Sequence, residues 1–99
     1  MTIDTNLNGT VLTAALGGRL DTTTAPELES KLKSSLDGVT ALILDFKDLE
    51  YISSAGLRVL LSMQKIMMKR DGMKLVNVSE TISEIFEVTG FSDILTIES

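Results

Sequence analysis

Apolar and polar residues follow two different periods along this chain, and the changes of period mark the predicted elements. Residues 2–20 predict two short strands around Asn8-Gly9, a dipeptide that favours the left-handed backbone of a hairpin turn. Residues 40–46 and 73–78 are nearly continuous apolar runs of strand length, which is typical of strands buried on both faces. A short strand is predicted again at residues 93–97.

Three segments between these strands have the 3.6-residue period of amphipathic helices. In the first, leucines recur at every fourth position from Leu28 to Leu36. Thr24 followed three residues later by Glu27 predicts a capping box, and Gly38 predicts the end of the helix. The second helix is predicted from about Ala55 to Arg70, and the third from a Ser79 cap to a Gly90 stop.

The second helix is apolar over more of its circumference than an ordinary surface helix. One interpretation is that it packs on both the sheet and the next helix. The other is that part of the excess, Val59, Met63 or Met67, is an adaptable contact surface. Its polar stripe consists of Arg58, Ser62, Lys65 and Lys69.

The predicted element order is ββαβαβαβ, in one domain spanning residues 1–99. Strands that alternate with helices of ten or more residues imply right-handed crossovers and an α/β fold. We therefore predict a mostly parallel central sheet, with helices packed on it and one antiparallel strand from the first hairpin at an edge.

Functional residues are expected beyond the carboxyl ends of the strands, where open α/β sheets meet their ligands and partners. Loops after Leu20, Phe46 and Val78 each deliver a helix N-terminus to that edge. The exposed residues predicted there are rich in hydroxyl groups: Asp21, Thr22, Thr23, Ser53, Ser54 and Ser79.

Composition argues against catalysis at this edge. The chain has no His and no Cys, which excludes Ser–His and Cys–His nucleophile systems. Lys65 and Lys69 lie about 15 Å or more along the helix from Ser54, too far for a Ser–Lys pair. There is no GxxxxGK[ST] loop and no GxGxxG fingerprint. A weak Mg²⁺ site at Asp21, Asp45 and Asp48 remains an alternative to ordinary turn and strand-end acids.

Charge and hydropathy exclude two other classes of function. The net charge is −5 and the nine basic residues are scattered, which argues against a nucleic-acid surface. No basic segment precedes a long apolar run, and no apolar stretch approaches the ~18 residues of a membrane span. These patterns predict a soluble, cytoplasmic protein that does not bind membranes.

Two segments of the sequence resemble the STAS domain, and within it the stand-alone bacterial anti-sigma factor antagonists. They are GGRLDTTTAPEL, residues 17–28, and ALILDFKDLEYISSAGLRVLL, residues 41–61. The family has a G-x-L-D-x-x-T-A segment and a later (D/S)-S-(S/A/T)-G-L segment. The resemblance covers about residues 3–97.

The resemblance implies a binding protein with no enzymatic activity, cofactor or metal. Its implied partners are an anti-sigma factor serine kinase, which it sequesters so that a sigma factor is freed for transcription, and a PP2C-type phosphatase. The implied phosphoacceptor is Ser54, with Ser53 as a rival because it occupies a place where the family often has Asp. The chain is expected to be a monomer or a weak dimer. The implied partner-binding residues are Asp21, Thr22, Thr24, Ser53, Ser54, Ala55, Gly56 and Arg58.

Alternatives remain open at this point. The chain could be a non-switching STAS scaffold subunit of a stressosome-like or transporter-associated assembly, or, third, an enzyme or nucleotide-binding protein. Within the switch hypothesis, Ala55 and Gly56 would leave the Ser54 hydroxyl unshielded. The structural alternative is that one serine is only an N-cap and that Gly56 merely packs closely.

Overall fold

Five strands form one sheet, in which each strand pairs with its neighbours in sequence. The computed structural model describes residues 1–98, and Ser99 of the predicted domain 1–99 lies outside the described residues. The first strand is antiparallel to the second at one edge, and the remaining pairs are parallel. The predicted α/β class, the element order and the antiparallel edge strand are confirmed. The elements are β1 (Thr2–Asn8), β2 (Val11–Leu20), α1 (Ala25–Ser34), β3 (Ala41–Ile52), α2 (Ser54–Met67), β4 (Met73–Val76), α3 (Glu80–Thr89), a 3₁₀ turn (Phe91–Asp93) and β5 (Thr96–Ile97).

The hairpin turn lies one residue later than predicted. Asn8 still pairs with Val11 in the β1–β2 ladder, so the two turn residues are Gly9 and Thr10. Gly9 has φ +64, which is the left-handed backbone that a two-residue hairpin turn needs at its first position.

Helix α1 ends at Ser34, before the predicted stop at Gly38. The hydroxyls of Ser34 and Ser35 both donate to the carbonyl of Lys31, at 3.0 and 2.7 Å. Such local bonds compete with the helical ladder and favour its termination. Leu36 is buried even though it follows the helix.

Strand β3 is longer than the apolar run at residues 40–46. It continues through the polar residues after Phe46 and stays paired with β2 across two register shifts, between Ala15 and Gly17 and between Gly18 and Arg19. The irregular pairing breaks the two-residue alternation of buried and exposed side chains. The strand that was predicted from the apolar run therefore ended too early, at Phe46. The loop predicted after Phe46 therefore opens after Ile52, beside the end of β2.

The later elements have the predicted types but shorter bounds: α2 ends at Met67 and not at Arg70, and β5 is Thr96–Ile97 and not residues 93–97. Strand β4 stops at Val76, before the predicted Val78, because Asn77 adopts φ +56 and leaves the extended conformation. Helix α3 begins after Ser79 and ends at Gly90, which has φ +81.

The helices cover one face of the sheet. Along β3, buried Leu42, Leu44 and Phe46 alternate with half-buried residues such as Ile43, so the prediction that this strand is buried on both faces was wrong. The continuous apolar run predicted burial on both faces because Ile43 is apolar, like a core residue. In the structure its side chain is only half-buried. Within residues 1–98, no helix is long and apolar enough to cross a bilayer.

Helix α2 packs on strands β3 and β4 and on α1, which explains its broad apolar surface. Val59, Met63 and Met67 have exposed fractions of 6, 0 and 0%, so they belong to the core and the interpretation that they are an excess left for a contact surface was wrong for Met63 and Met67. The packing interpretation is confirmed for the sheet, whereas the neighbouring helix on which α2 packs is the preceding one, α1, and not the next one as predicted.

Candidate functional site

Strands β2 and β3 end side by side, and this brings the starts of α1 and α2 together. The backbone N–H of Ser53 donates to the carbonyl of Leu20 at 2.9 Å, which extends the β2–β3 pairing to the last residue before α2. The loop after β2 and the first turn of α2 are therefore fixed relative to each other by the sheet.

The β2–α1 loop, residues 21–24, is held together by hydrogen bonds to the carboxylate of Asp21. One oxygen, Oδ1, accepts hydrogen bonds from the N–H of Thr23 at 3.0 Å, the hydroxyl of Thr23 at 2.8 Å and the N–H of Thr24 at 3.2 Å. The Thr23 hydroxyl is the main cause that lowers the pKa of Asp21 below its ordinary value, while partial desolvation acts in the opposite direction. Asp21 thus organises the loop by remaining ionised.

Thr24 occupies the N-cap position of α1, but the predicted capping box with Glu27 does not form. Its hydroxyl makes no cap bond. It accepts instead from the N–H of Asp21 at 2.8 Å and donates to the carbonyl of Arg19 at 2.8 Å. The prediction was wrong because the loop before the helix uses the same hydroxyl.

Arg19 and Tyr51 form a contact at this edge that the sequence reasoning missed. The two residues are paired across β2 and β3, and the Arg19 guanidinium lies 4.2 Å from the Tyr51 ring centroid. Arg19 Nε also lies 3.8 Å from Asp21 Oδ2. Only the shifted register of β3 brings Tyr51 opposite Arg19, so no local pattern could have indicated the contact.

The two serines before α2 have separate structural roles. Ser53 is the N-cap, half-buried, and its hydroxyl accepts from the N–H of Gly56 at 3.4 Å. Ser54 is the first residue of the helix and is exposed. Among residues 1–98, no hydrogen-bond partner of the Ser54 hydroxyl is found. The helix is therefore capped without using Ser54.

Gly56 lies on the buried side of the first turn of α2. A Cβ atom there would lie 2.7 Å from Leu20 Cγ and 2.9 Å from Ile52 Cγ1. Only glycine lets the helix start this close to the ends of β2 and β3. Close packing therefore accounts for the glycine, and the accessibility of Ser54 follows from its outward position.

Three of the predicted partner-binding residues, Thr22, Ala55 and Arg58, line one groove between α1 and α2. The groove has a volume of about 310 Å³. Within residues 1–98, Thr22 is the one member of the 21–24 loop whose side chain makes no hydrogen bond, and Arg58 forms no ion pair. The other lining residues are Ala25, Pro26, Glu29 and Val59.

The carboxylates of the alternative Mg²⁺ site are not assembled. Asp45 Oδ1 accepts from the N–H of Lys47 and the amide of Asn77, both at 3.0 Å. In the part of the chain that the structure describes, no three acidic, His or Cys side chains are grouped to hold a metal ion.

The third loop ends in Ser79, whose hydroxyl accepts from the N–H of Ile82 at 3.3 Å and caps α3.

Comparisons with known proteins agree with one another. The family model of the STAS domain matches residues 2–99. The anti-sigma-B factor antagonist of Bacillus subtilis is 32% identical over 98 residues, which are 98% of this chain and 90% of that protein. An anti-sigma factor antagonist from Mycobacterium paratuberculosis has a similar fold, with a TM-score of 0.88, 23% identity, and coverage of 98% of this chain and 84% of that chain.

The Bacillus protein SpoIIAA also has this fold, and it has been solved in an unphosphorylated and a phosphorylated form. The TM-scores are 0.77 and 0.76, each with 20% identity and 99% of this chain covered. The alignments cover 88% and 92% of those chains.

Proposed function

Since the chain belongs to the STAS domain family, we propose that it is an anti-sigma factor antagonist regulated by phosphorylation of Ser54. In its unphosphorylated form it binds and sequesters an anti-sigma factor kinase, and a sigma factor is thereby freed for transcription in the bacterial cytoplasm. The names of its relatives support the first part. Regulation by phosphorylation is supported by one observation: Ser54 is exposed at the start of α2, beside the groove between α1 and α2.

The chemistry of the switch is performed by the partners. The kinase transfers the terminal phosphoryl group of ATP to Ser54 Oγ. The new O–P bond replaces the bond to ADP, and the hydroxyl proton passes to a base of the kinase. A PP2C-type phosphatase reverses the change by hydrolysis, which returns the Ser54 hydroxyl and releases inorganic phosphate. This chain contributes the accessible hydroxyl and the surface around it.

Phosphorylation should act at the interface and leave the fold intact. The phosphoryl group adds about −1.5 to −2 charge at pH 7. At the N-terminus of α2 this charge meets free N–H groups and the positive end of the helix dipole, a favourable effect of ~0.3–1 kcal/mol. In a complex the same dianion must lose its hydration in a closely fitted surface. A penalty of ~3 kcal/mol would weaken binding more than 100-fold.

The contact surface is proposed to include Asp21, Thr22, Thr24, Ser53, Ala55 and Arg58 around Ser54. Asp21, Thr24 and Ser53 are held by side-chain hydrogen bonds, so the surface to which they belong has a fixed shape. Gly56 supports this surface from beneath because it is buried against Leu20 and Ile52.

Three single variants test the proposal with a cognate kinase, ATP and a binding assay. Ser54→Ala should remain unmodified and bind persistently, and Ser54→Asp should fold normally but bind poorly. Ser53→Ala is the matched control and should still be phosphorylated and released. Site mapping by mass spectrometry identifies the modified residue.

Two results would change the proposal. Phosphorylation of Ser54→Ala, but not of Ser53→Ala, would move the acceptor to Ser53. Stable binding with no phosphorylation by any cognate kinase would favour the non-switching scaffold subunit.

A further inference from the structure

Arg58 is an exposed cation one helical turn after Ser54. Both residues lie on α2 at positions i and i+4, so their Cβ atoms are separated by ~5–6 Å on one face of the helix. Helical side chains lean toward the N-terminus, which directs Arg58 back over the turn that begins with Ser54. The reach of an arginine therefore includes any group attached to Ser54 Oγ.

The charged neighbours of Arg58 leave it available. Glu29 is the acidic residue that lines the groove together with Arg58, and its Oε2 lies 3.4 Å from Lys33 Nζ. The first turn of α2 contains no acidic residue that would compete for the guanidinium. The Glu29 carboxylate thus already has a cationic neighbour, whereas Arg58 forms no ion pair with any residue between 1 and 98.

We infer that Arg58 binds the phosphoryl group of phosphorylated Ser54 within the same helix. The inference rests on the proposed function only in taking Ser54 as the acceptor. A guanidinium offers two parallel N–H donors to two phosphoryl oxygens, and an anion four residues before a cation is the favourable order on a helix. Phosphorylation then removes Arg58 from the groove surface at the same time as it adds the dianion. The partner loses a cationic contact and meets a negative charge in one event.

The test uses protein with phosphoserine inserted at position 54 during translation, so that no kinase is needed. Arg58→Gln removes the charge, Arg58→Lys keeps the charge without the fork, and Lys65→Gln is the control. Lys65 lies on the same helix, ~16 Å from Ser54 along the helix axis, and its side chain does not reach the phosphate. Lys65→Gln therefore changes the net charge by the same amount as Arg58→Gln without removing a contact to the phosphate. The readouts are the ³¹P titration of the phosphate, the Arg58 Nε–H resonance and the melting temperature.

The parent and Lys65→Gln should titrate at the same pH, and Arg58→Gln about 0.4 pH unit higher, as a helical ion pair of ordinary strength predicts. Arg58→Lys should lie between them. The Nε–H resonance of Arg58 should move with the phosphate titration. Any rise in melting temperature on phosphorylation should be smaller in Arg58→Gln than in Lys65→Gln.

Equal titration of the parent and Arg58→Gln, with a stationary Nε–H resonance, would overturn the inference. Failure of the proposed function gives a different pattern. If the phosphorylated chain binds the anti-sigma partner as tightly as the unmodified chain, the switch is wrong while the Arg58 titration result stands by itself.

Discussion

The β2–α1 loop and the start of α2 lie side by side at one edge of the sheet, yet they use their polar side chains differently. In the loop, Asp21, Thr23 and Thr24 form hydrogen bonds with one another. At the start of α2, one hydroxyl, that of Ser53, caps the helix, and the next, that of Ser54, faces solvent. The loop is locked by its own polar groups, whereas the helix start retains an unused one.

Under the proposed function, this difference gives the two regions different roles in recognition. A loop whose groups are internally bonded presents the same surface before and after a partner binds. An unused hydroxyl at a helix N-terminus can gain a charge without breaking a bond that the fold needs. The backbone bond between Ser53 and Leu20 keeps both regions in register, so the proposed modification would lie next to a surface of constant shape.

The largest effect on stability is expected from Gly56→Ala, which tests whether the helix start is as tightly fixed as the loop. Alanine gains about 1 kcal/mol in helix propensity, but its Cβ would overlap the buried carbons of Leu20 and Ile52. Overpacking of this kind costs about 1–3 kcal/mol, so we expect a net decrease in the free energy of unfolding. Urea denaturation measures it, with Ser62→Ala on the same helix as the control. A more stable Gly56→Ala would show that the packing can relax.

Thr22→Lys tests whether the outward face of the loop contacts the partner. Thr22 lines the groove and its side chain makes no hydrogen bond within residues 1–98, so the melting temperature should be unchanged. We expect affinity for the anti-sigma partner to fall by about 10-fold, equivalent to ~1.4 kcal/mol. The matched control is Asn6→Lys on exposed strand β1, with the same change of charge. Equal affinity of the two variants would remove Thr22 from the interface.

Ser53→Ala and Ser54→Ala compare the two hydroxyls at the start of α2 directly. Loss of the Ser53 cap should lower the free energy of unfolding by about 0.5–1 kcal/mol. Loss of the exposed Ser54 hydroxyl should change it by less than about 0.5 kcal/mol. Thermal denaturation of both variants under identical conditions gives the difference. The reverse order would mean that Ser54 is the structural cap.

The smallest effect is expected from Asp21→Asn, and it should depend on pH. Hydrogen bonding lowers the pKa of Asp21 in the folded protein, so the unfolded chain takes up its proton at a higher pH. The contribution of ionised Asp21 to the free energy of unfolding is complete above the ordinary pKa of about 3.9. It is lost as the pH falls through the lowered pKa of Asp21 in the folded protein. The gap in free energy of unfolding between the parent and Asp21→Asn should therefore be largest near neutral pH and close in acid.

Thr23→Val provides the control for this pH dependence because it removes the hydroxyl that contributes most to the lowered pKa. In a Thr23→Val background, Asp21→Asn should produce a smaller gap. A gap that is the same at every pH would show that the charge of Asp21 is not what the loop uses.

The sequence by itself determined the element order, the α/β class and the edge of the sheet at which the candidate site was expected. Helical periods, the Ser79 cap and the Gly90 stop are local signals, because capping and left-handed glycine depend on a few neighbouring residues. The SSAGL segment likewise marked the start of the second helix as the candidate site, with Ser53 and Ser54 as its two candidate serines. These features could be predicted because their physical causes act over about one helical turn.

Only the tertiary structure decided which serine is free, why position 56 is glycine and where β3 ends. Ser53 became the cap because the β2–β3 pairing continues to its N–H. Gly56 is required by Leu20, which is 36 residues earlier in the chain, and the Arg19–Tyr51 contact needs two register shifts. Each of these depends on atoms that are distant in sequence and close in space. A pattern of apolar and polar residues along one segment contains no information about such pairs.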